Sequence, residues 1–123
     1  LVAYDGEAPV GWCRVMPRAS QPGLANSRYF KTELEVEGVW SLSCFVVRRQ
    51  HRGRGLTTVL IQAAIQLARE QGAWFLEAYP WDTNEEKDPA IIYTGMASTF
   101  SCLGSEVVQR KAPHQPMMRL GLP

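Results

Sequence analysis

Hydrophobic positions at the start of the chain have the pattern of β-strands. Two short apolar runs, at residues 1–4 and 10–16, are separated by Asp5-Gly6-Glu7-Ala8-Pro9. An Asp-Gly pair between two such runs is typical of a β-hairpin. Residues 39–47 are rich in β-branched and aromatic side chains and end in a nearly continuous apolar run. This pattern indicates a strand that is covered on both faces.

The segment after Gly55 has the period of a helix. Its apolar residues recur at helical spacing, and the polar residues between them share the opposite face. The apolar positions are Leu56, Val59, Leu60, Ala63, Ala64 and Leu67. Gly72 stands where a left-handed residue would end the helix, which predicts a helix of about 16 residues. Residues 73–79 are predicted as a further buried strand that ends at Pro80, which completes a βαβ unit.

The rest of the chain has weaker patterns. Residues 17–38 contain both Pro and Gly without sustained periodicity, and they are predicted as a long loop with one helical turn near 24–30. The remaining predicted elements are an acidic loop at 81–88, a helix at 94–103 that ends at Gly104, and two strands at 106–111 and 116–122.

Length and composition limit the class of protein. With 123 residues and 46% hydrophobic side chains, we expect residues 1–123 to form a single domain with a core. The net charge is +1, so no overall field recruits nucleic acid or an anionic membrane. No apolar run approaches the roughly 20 residues of a membrane span. Because Leu1 already lies in a strand pattern, we expect the domain to be incomplete at its N-terminus.

The three cysteines are Cys13, Cys44 and Cys102, an odd number without the spacing of a paired metal-binding motif. This disfavours a disulfide framework and a zinc site, so no metal is expected, and it favours a reducing, cytoplasmic location. We expect Cys44 and Cys102 to be small buried side chains.

The strongest chemical signal lies between the strand at 39–47 and the long helix. Four of the 13 Lys and Arg residues fall within residues 48–54, where an even spread would place fewer than one. Gly53 and Gly55 leave room for a ligand to approach the backbone, and the first N–H groups of a helix have no partner within it. A strand, a glycine-containing turn and a helix in this order are typical of a phosphate-binding site.

Known phosphate-binding motifs of other kinds do not fit this turn. No Lys-Ser or Lys-Thr pair follows Gly55, as a Walker loop requires, and Thr58 occupies the third glycine position of the dinucleotide-binding fingerprint. A solvated Arg/Gly loop without a ligand stays open as an alternative. A nucleic-acid-binding patch is disfavoured by the balanced charge and by the lack of interleaved aromatic residues.

The segment Arg52-Gly53-Arg54-Gly55-Leu56-Thr57, between a hydrophobic strand and an amphipathic helix, resembles the acetyl-CoA pyrophosphate loop of the GNAT N-acetyltransferase superfamily. The family pattern is Gln/Arg-x-x-Gly-x-Gly/Ala, and Thr57 departs from it at the last position. Residues 1–16, 39–47 and 73–79 resemble the family's second to fifth strands. The resemblance implies an α/β fold with a mixed, mostly antiparallel twisted sheet flanked by helices, here lacking the family's N-terminal strand and helices.

The resemblance also implies a reaction, in which a primary amine attacks the acetyl group of acetyl-CoA directly in a ternary complex. The backbone of Phe45, Val46 and Val47 would hold the pantetheine arm, and one of their N–H groups would polarise the thioester carbonyl. The pyrophosphate would lie against Arg52, Gly53, Arg54, Gly55, Leu56, Thr57 and Thr58. The expected partner is a small-molecule or peptide amine rather than nucleic acid or a membrane, and a homodimer is possible because the family often dimerises.

The candidate general base is Glu77. An amine must lose a proton before it attacks, and the family often supplies a Glu from its fourth strand, where this chain has Ser41 and Ser43. Glu77 lies within an apolar strand, and burial raises the pKa of a carboxyl group, which suits a general base. The alternative is a Glu77 that faces solvent on an alternating strand.

Candidates for the general acid are Tyr79 and Tyr93. Phe100 stands where the family commonly has the Tyr that protonates the leaving thiolate. Both tyrosines also fit simple core packing. Phe100, together with the lack of a Glu on the fourth strand, favours a non-catalytic acyl-CoA-binding module of the same fold as the alternative function. The arginine cluster alone would fit a small nucleic-acid-binding domain, the third possibility.

Overall fold

The computed structural model describes residues 1–48, 55–82 and 96–122. Within these residues the chain forms one six-stranded sheet with three helices and a single 3-10 turn at Arg18–Ser20. The strands are β1 (Val2–Asp5), β2 (Ala8–Pro17), β3 (Val39–Val47), β4 (Phe75–Ala78), β5 (Glu106–Ala112) and β6 (Gln115–Gly121). The helices are α1 (Pro22–Ala25), α2 (Leu56–Glu70) and α3 (Ala97–Cys102).

The strand order across the sheet is β1-β2-β3-β4-β6-β5. Four of the neighbouring pairs are antiparallel, and β3 and β4 alone are parallel. A parallel pair needs a crossover connection, which α2 provides between β3 and β4. The predicted βαβ unit and the predicted mixed, mostly antiparallel sheet are therefore confirmed.

One extra residue interrupts the pairing of β2 with β3. Arg14 pairs with Cys44 and Val15 pairs with Leu42, so Ser43 has no opposite residue and forms a β-bulge. Bulges bend a strand and change the direction in which its side chains point. This one divides β3 into two halves, one on each side of Ser43.

The hydrophobic core lies on one face of the sheet, between the strands and helices α2 and α3. Helix α2 contributes the buried residues Leu60, Ile61, Ala64 and Ala68, at the spacing that puts them on one side of a helix. The other members of this core are Cys13, Leu42, Phe45, Ala73, Leu76, Ala78, Ala97, Phe100, Met118 and Leu122. The sequence pattern that predicted α2 is therefore the pattern of its buried face.

Glycines stand at both ends of α2. Gly55 precedes the helix with φ of 75°, and Gly72 follows it with φ of 79°. These values lie in the left-handed region, which other residues adopt only at a cost. At the C-terminus, the N–H of Gly72 donates to the carbonyl of Arg69, and the predicted end of the helix at Gly72 is confirmed.

The structure departs from the sequence prediction at smaller elements. The helical turn expected near 24–30 forms earlier, as α1 at Pro22–Ala25, because proline fits the first position of a helix. The prediction that Cys44 and Cys102 are buried is wrong. Cys44 is half-buried beside the bulge, and Cys102 is exposed at the end of α3, whereas Cys13 is buried. Among the described residues, no helix is long and apolar enough to cross a membrane.

Candidate active site

Strands β3 and β4 run together only part of the way. Their parallel pairing covers Val39–Leu42 and Phe75–Ala78 and ends at Leu42 and Ala78. Beyond that point β3 continues to Val47 along β2, and the described residues contain no further pairing between β3 and β4. We call the position where they separate the strand split. A gap beside an extended strand can accept another extended chain as an added strand.

The backbone predicted to bind pantetheine lies just past the strand split. Phe45 is buried in the core, where its ring packs against Phe100 with centroids 6.3 Å apart. Val46 is exposed and Val47 is half-buried. Phe100 is thus a core residue of α3, which accounts for an apolar ring at this position.

The N-terminus of α2 presents backbone amides of Leu56, Thr57 and Thr58. The first helical hydrogen bond is donated by Val59 to the carbonyl of Gly55. Among the described residues, no side chain caps this end, no acidic residue lies in the first turn, and no atom lies within 4 Å of a Cβ added at Gly55. The free space and the positive end of the helix dipole fit an anion. Arg52, Gly53 and Arg54 lie outside the described residues.

On the sheet face opposite α2, a row of paired residues crosses the sheet one residue before the strand split. The register places Met16 opposite Ser41, Ser41 opposite Glu77, Glu77 opposite Arg119, and Arg119 opposite Glu106. The central three of these side chains are polar and buried. The row predicts direct contact among them, since cross-strand neighbours have Cβ atoms about 5 Å apart.

Glu77 is the centre of a buried hydrogen-bond cluster, and it is fully buried. Its Oε1 accepts from Nη1 of Arg18 and from the hydroxyl of Tyr79, at 2.6 Å for the hydroxyl. Its Oε2 accepts from Nε of Arg119 at 2.7 Å. Ser41 lies 2.7 Å from the Tyr79 hydroxyl. The Tyr79 hydroxyl has one hydrogen, and it donates this hydrogen bond to Glu77. Ser41 is therefore the donor in the second bond. We call these five residues the polar cluster.

Burial and the neighbouring Glu77 keep Tyr79 protonated. Burial is the main cause that raises the pKa of its phenol, and the charge and hydrogen bond of Glu77 raise this pKa further, so that it lies far above its ordinary value. The Tyr79 hydroxyl therefore stays protonated at neutral pH. It lies one residue past Ala78, at the strand split.

The structure decides between the two interpretations of Glu77. The solvent-facing alternative is wrong, because β4 turns Glu77 toward the buried polar cluster. Both carboxylate oxygens accept from side-chain donors. Its role as a general base stays a prediction, as does the role of Tyr79 as an acid. Tyr93 lies outside the described residues.

Sequence analysis missed Arg18 and Arg119. They lie 59 and 42 residues from Glu77 along the chain, on the turn after β2 and on β6. A lone Glu in an apolar strand does signal a cationic partner, since buried charges are paired. The partner's identity depends on the order of strands in the sheet. Two further buried atoms, Oγ of Ser43 and Nη2 of Arg119, have no hydrogen-bond partner among the described residues.

Comparison with known proteins identifies the family of this chain. The model of the Acetyltransferase (GNAT) family matches residues 1–90, so the chain belongs to the GNAT acetyltransferase family. Membership of this family supports an acyltransferase. A search of curated proteins by sequence finds no match.

Solved structures with the same fold include a GCN5-related N-acetyltransferase from Kribbella flavida, with 19% identity and a TM-score of 0.63 over 98% of this chain and 66% of that one. The ribosomal-protein-alanine N-acetyltransferase from Brucella melitensis has 19% identity and a TM-score of 0.61, over 98% of this chain and 67% of that one. The yncA protein of Salmonella typhimurium, solved with its cofactor acetyl-CoA, has 16% identity and a TM-score of 0.63, over 99% of this chain and 63% of that one. The chain thus spans about two thirds of each of these structures.

Proposed function

We propose that this protein transfers an acetyl group from acetyl-CoA to a primary amine by direct attack. The observation that carries this proposal is the strand split next to the N-terminus of α2. One site binds an extended chain and the other binds an anion, and acetyl-CoA combines both features in its pantetheine arm and its pyrophosphate. The Salmonella typhimurium structure with acetyl-CoA supports the choice of co-substrate.

The binding site for acetyl-CoA would be made mostly of backbone. Pantetheine would lie along Phe45, Val46 and Val47, and an N–H of this segment would hydrogen-bond the thioester carbonyl as negative charge develops on its oxygen. The pyrophosphate would accept from the first amides of α2 at Leu56, Thr57 and Thr58. In the sequence, Arg52 and Arg54 supply positive charge beside Gly53, which supports the same placement.

The reaction itself needs one bond formed and one broken. The amine nitrogen bonds to the acetyl carbonyl carbon, the bond from that carbon to sulfur breaks, and the amine loses a proton while the CoA thiolate gains one. Placing the two reactants side by side supplies much of the rate enhancement in such reactions. A thiol with a pKa near ~8.5 is an acceptable leaving group, which fits the presence of Phe100 in place of an acid.

Within this proposal, the polar cluster holds the strands that form the split. Ser41 is fully buried and donates to Tyr79, so that β3 and β4 are joined by a side-chain hydrogen bond just before they separate. Glu77 holds Tyr79 in place, and Tyr79 holds Ser41. We therefore assign Glu77 and Tyr79 as positioning residues, and we propose that a water molecule at the split accepts the proton from the amine.

Two measurements test the function. Acetyl-CoA at 100 times its dissociation constant should raise the free energy of unfolding by about 2.7 kcal/mol. A panel of amines should then give release of free CoA that depends on both substrates. Stabilisation without CoA release from any amine would indicate a binding module, and no stabilisation by acetyl-CoA would refute the proposal.

A further inference from the structure

A cavity of about 220 Å³ lies between the turn after β2 and the loop that leads to β3. Its charged lining residues are Arg18 and Lys31, and no carboxylate of the described residues lines it. Pro22, Ala25 and Val36 give it apolar walls. The acidic residues of the loop are exposed and lie outside the lining: Glu33, Glu35 and Glu37. The cavity is therefore cationic, with partly apolar walls.

Arg18 is the buried cation of this cavity, since it is only 5% exposed. Its Nη1 donates to Glu77 and to the hydroxyl of Tyr79, and its Nη2 donates to the carbonyl of Phe30. A guanidinium group has five N–H donors. The Nε–H and one N–H of Nη2 have no acceptor among the described residues. A buried cation with two donors to spare can bind the oxygens of an anion.

The buried charges of the polar cluster do not balance. The cluster contains two guanidinium groups, those of Arg18 and Arg119, and one carboxylate, that of Glu77, and all three residues are buried. Glu106 lies opposite Arg119 on β5, but Glu106 is exposed and water screens its charge. A buried charge without a counter-charge is costly. An anion beside Arg18 would therefore stabilise the folded chain.

Lys31 is held at the border of the cavity by its backbone. Its carbonyl accepts from Nε2 of Gln109 at 3.1 Å and from Nζ of Lys111 at 2.7 Å, both on β5. Its N–H donates to the carbonyl of Ser27 at 3.1 Å. Lys31 is exposed, and within the described parts of the chain it forms no ion pair. A buried guanidinium and an unpaired ammonium thus border the same space.

We propose that this cavity binds a small organic carboxylate, whose oxygens accept from Arg18 and Lys31. The cavity volume is roughly that of seven water molecules in the liquid, which is enough for a short-chain acid. The apolar walls favour such an acid over inorganic phosphate, because phosphate has no apolar part to bury. The bound carboxylate supplies the counter-charge that the polar cluster lacks.

This site is separate from the proposed pyrophosphate site. Arg18 binds Glu77 on the sheet face opposite α2, whereas the pyrophosphate would lie at the N-terminus of α2. The proposal therefore does not depend on acetyl transfer, and it adds a second anion to those that the protein binds.

Thermal unfolding with isovalerate tests the site, with isovaleramide as the neutral molecule of the same shape. At constant ionic strength, isovalerate should raise the Tm of the wild type and isovaleramide should not. An equal shift with the amide would overturn the proposal, because the cavity would then not recognise charge. A larger shift with inorganic phosphate than with isovalerate would overturn the assignment of an organic carboxylate.

Three variants at exposed positions locate the binding. Lys31→Glu reverses a charge at the cavity border and should weaken isovalerate binding roughly 5-fold or more, as judged from the concentration dependence of Tm. Arg28→Glu makes the same change at a residue that does not line the cavity, and we expect a smaller loss. Ala25→Phe fills the cavity and should abolish the shift. Equal losses in Lys31→Glu and Arg28→Glu, or wild-type affinity in Ala25→Phe, would overturn the proposal.

Gly55→Glu distinguishes this site from the one for acetyl-CoA. The substitution lies at the N-terminus of α2, so it should weaken acetyl-CoA binding and leave the affinity for isovalerate unchanged. Loss of isovalerate binding in Gly55→Glu would show that both anions share one site, which contradicts a separate carboxylate site. Unchanged binding of isovalerate, together with failure of acetyl-CoA to bind even the wild type, would refute the proposed function alone.

Discussion

At the scale of single residues, Tyr79 shows how a buried hydroxyl is held in one protonation state. Its hydroxyl donates a hydrogen bond to the carboxylate of Glu77 and accepts one from the hydroxyl of Ser41. A phenolate at this position would face Glu77 in a buried environment, and both effects oppose ionisation. The result is a hydroxyl that is protonated at neutral pH and orients its neighbours.

This state of Tyr79 predicts a loss of stability in alkali. The pKa of Tyr79 is raised in the folded chain and is near ~10 in the unfolded chain. The contribution of Tyr79 to the free energy of unfolding is therefore complete below about pH 10. It is lost as the pH rises above that value, because the unfolded chain then binds fewer protons than the folded chain. The slope contributed by one such group approaches about 1.4 kcal/mol per pH unit.

Denaturant unfolding between pH 9 and pH 11 measures this slope. Tyr79→Phe should have a lower free energy of unfolding at pH 8 and a shallower decline above pH 10. Tyr4→Phe is the control, because Tyr4 is well exposed on β1 and should keep the wild-type slope. Equal slopes in wild type and Tyr79→Phe would contradict the assigned environment of the phenol.

At the scale of elements, patterns contained within one segment were read correctly from the sequence. The predicted strand at 39–47 has the same bounds as β3, and α2 begins at the predicted Leu56. The periodicity of an amphipathic helix lies in its own residues, so no knowledge of the remaining fold was needed. The strand predicted at 73–79 is shorter, at Phe75–Ala78, because its length depends on its pairing with β3 and β6.

The candidate site was predictable only in part. The N-terminus of α2 was visible in the sequence because its glycine, its position after a strand and the nearby arginines are all local features. The polar cluster was not, since Glu77 meets Arg18 and Arg119 only through the strand order. The half of a site that is made of backbone at a helix end is thus easier to find than the half made of side chains from distant strands.

The two glycines that flank α2 give a matched pair for testing the anion site. Gly55 and Gly72 both have positive φ, and no atom of the described residues lies within 4 Å of a Cβ added at either position. Gly55→Glu should strain the backbone and place a negative charge at the proposed pyrophosphate site, and we expect it to weaken acetyl-CoA binding at least 10-fold. Gly72→Glu should cost a similar free energy of unfolding, about 1–2 kcal/mol, with unchanged acetyl-CoA binding.

Isothermal titration of acetyl-CoA into both variants provides the comparison. Equal affinity in Gly55→Glu and Gly72→Glu would exclude the N-terminus of α2 as the pyrophosphate site. Gly55→Ala keeps the backbone strain without the added charge, and its intermediate affinity would separate the two effects.

At the scale of the whole molecule, the polar cluster forms a second set of contacts among strands that the core already joins, and it adds the turn after β2 to them. Glu77 on β4 binds Arg119 on β6 and Arg18 on the turn after β2, and through Tyr79 it reaches Ser41 on β3. The core on one face and the polar cluster on the other therefore hold the same three central strands. A homodimer, expected from the family resemblance, stays a prediction.

The cost of breaking this cluster should far exceed that of a surface ion pair. Glu77→Gln leaves two buried guanidinium groups without a counter-charge, and we expect a loss of about 3–5 kcal/mol in the free energy of unfolding. Asp82→Asn is the matched change in the exposed pair of Arg110 and Asp82, with an expected loss of at most about 1 kcal/mol. Urea unfolding of both variants measures the difference, and similar losses would show that the buried charges are not paired as described.

The β-bulge at Ser43 has a consequence for how this protein can diversify. Leu42 and Phe45 both point into the core although they are three positions apart, which a regular strand does not allow. The extra residue uncouples the half of β3 that carries Ser41 from the half that runs past β4. Substitutions at position 41 can therefore alter the polar cluster without altering the alignment of the backbone at Phe45, Val46 and Val47, where the proposed function places the thioester.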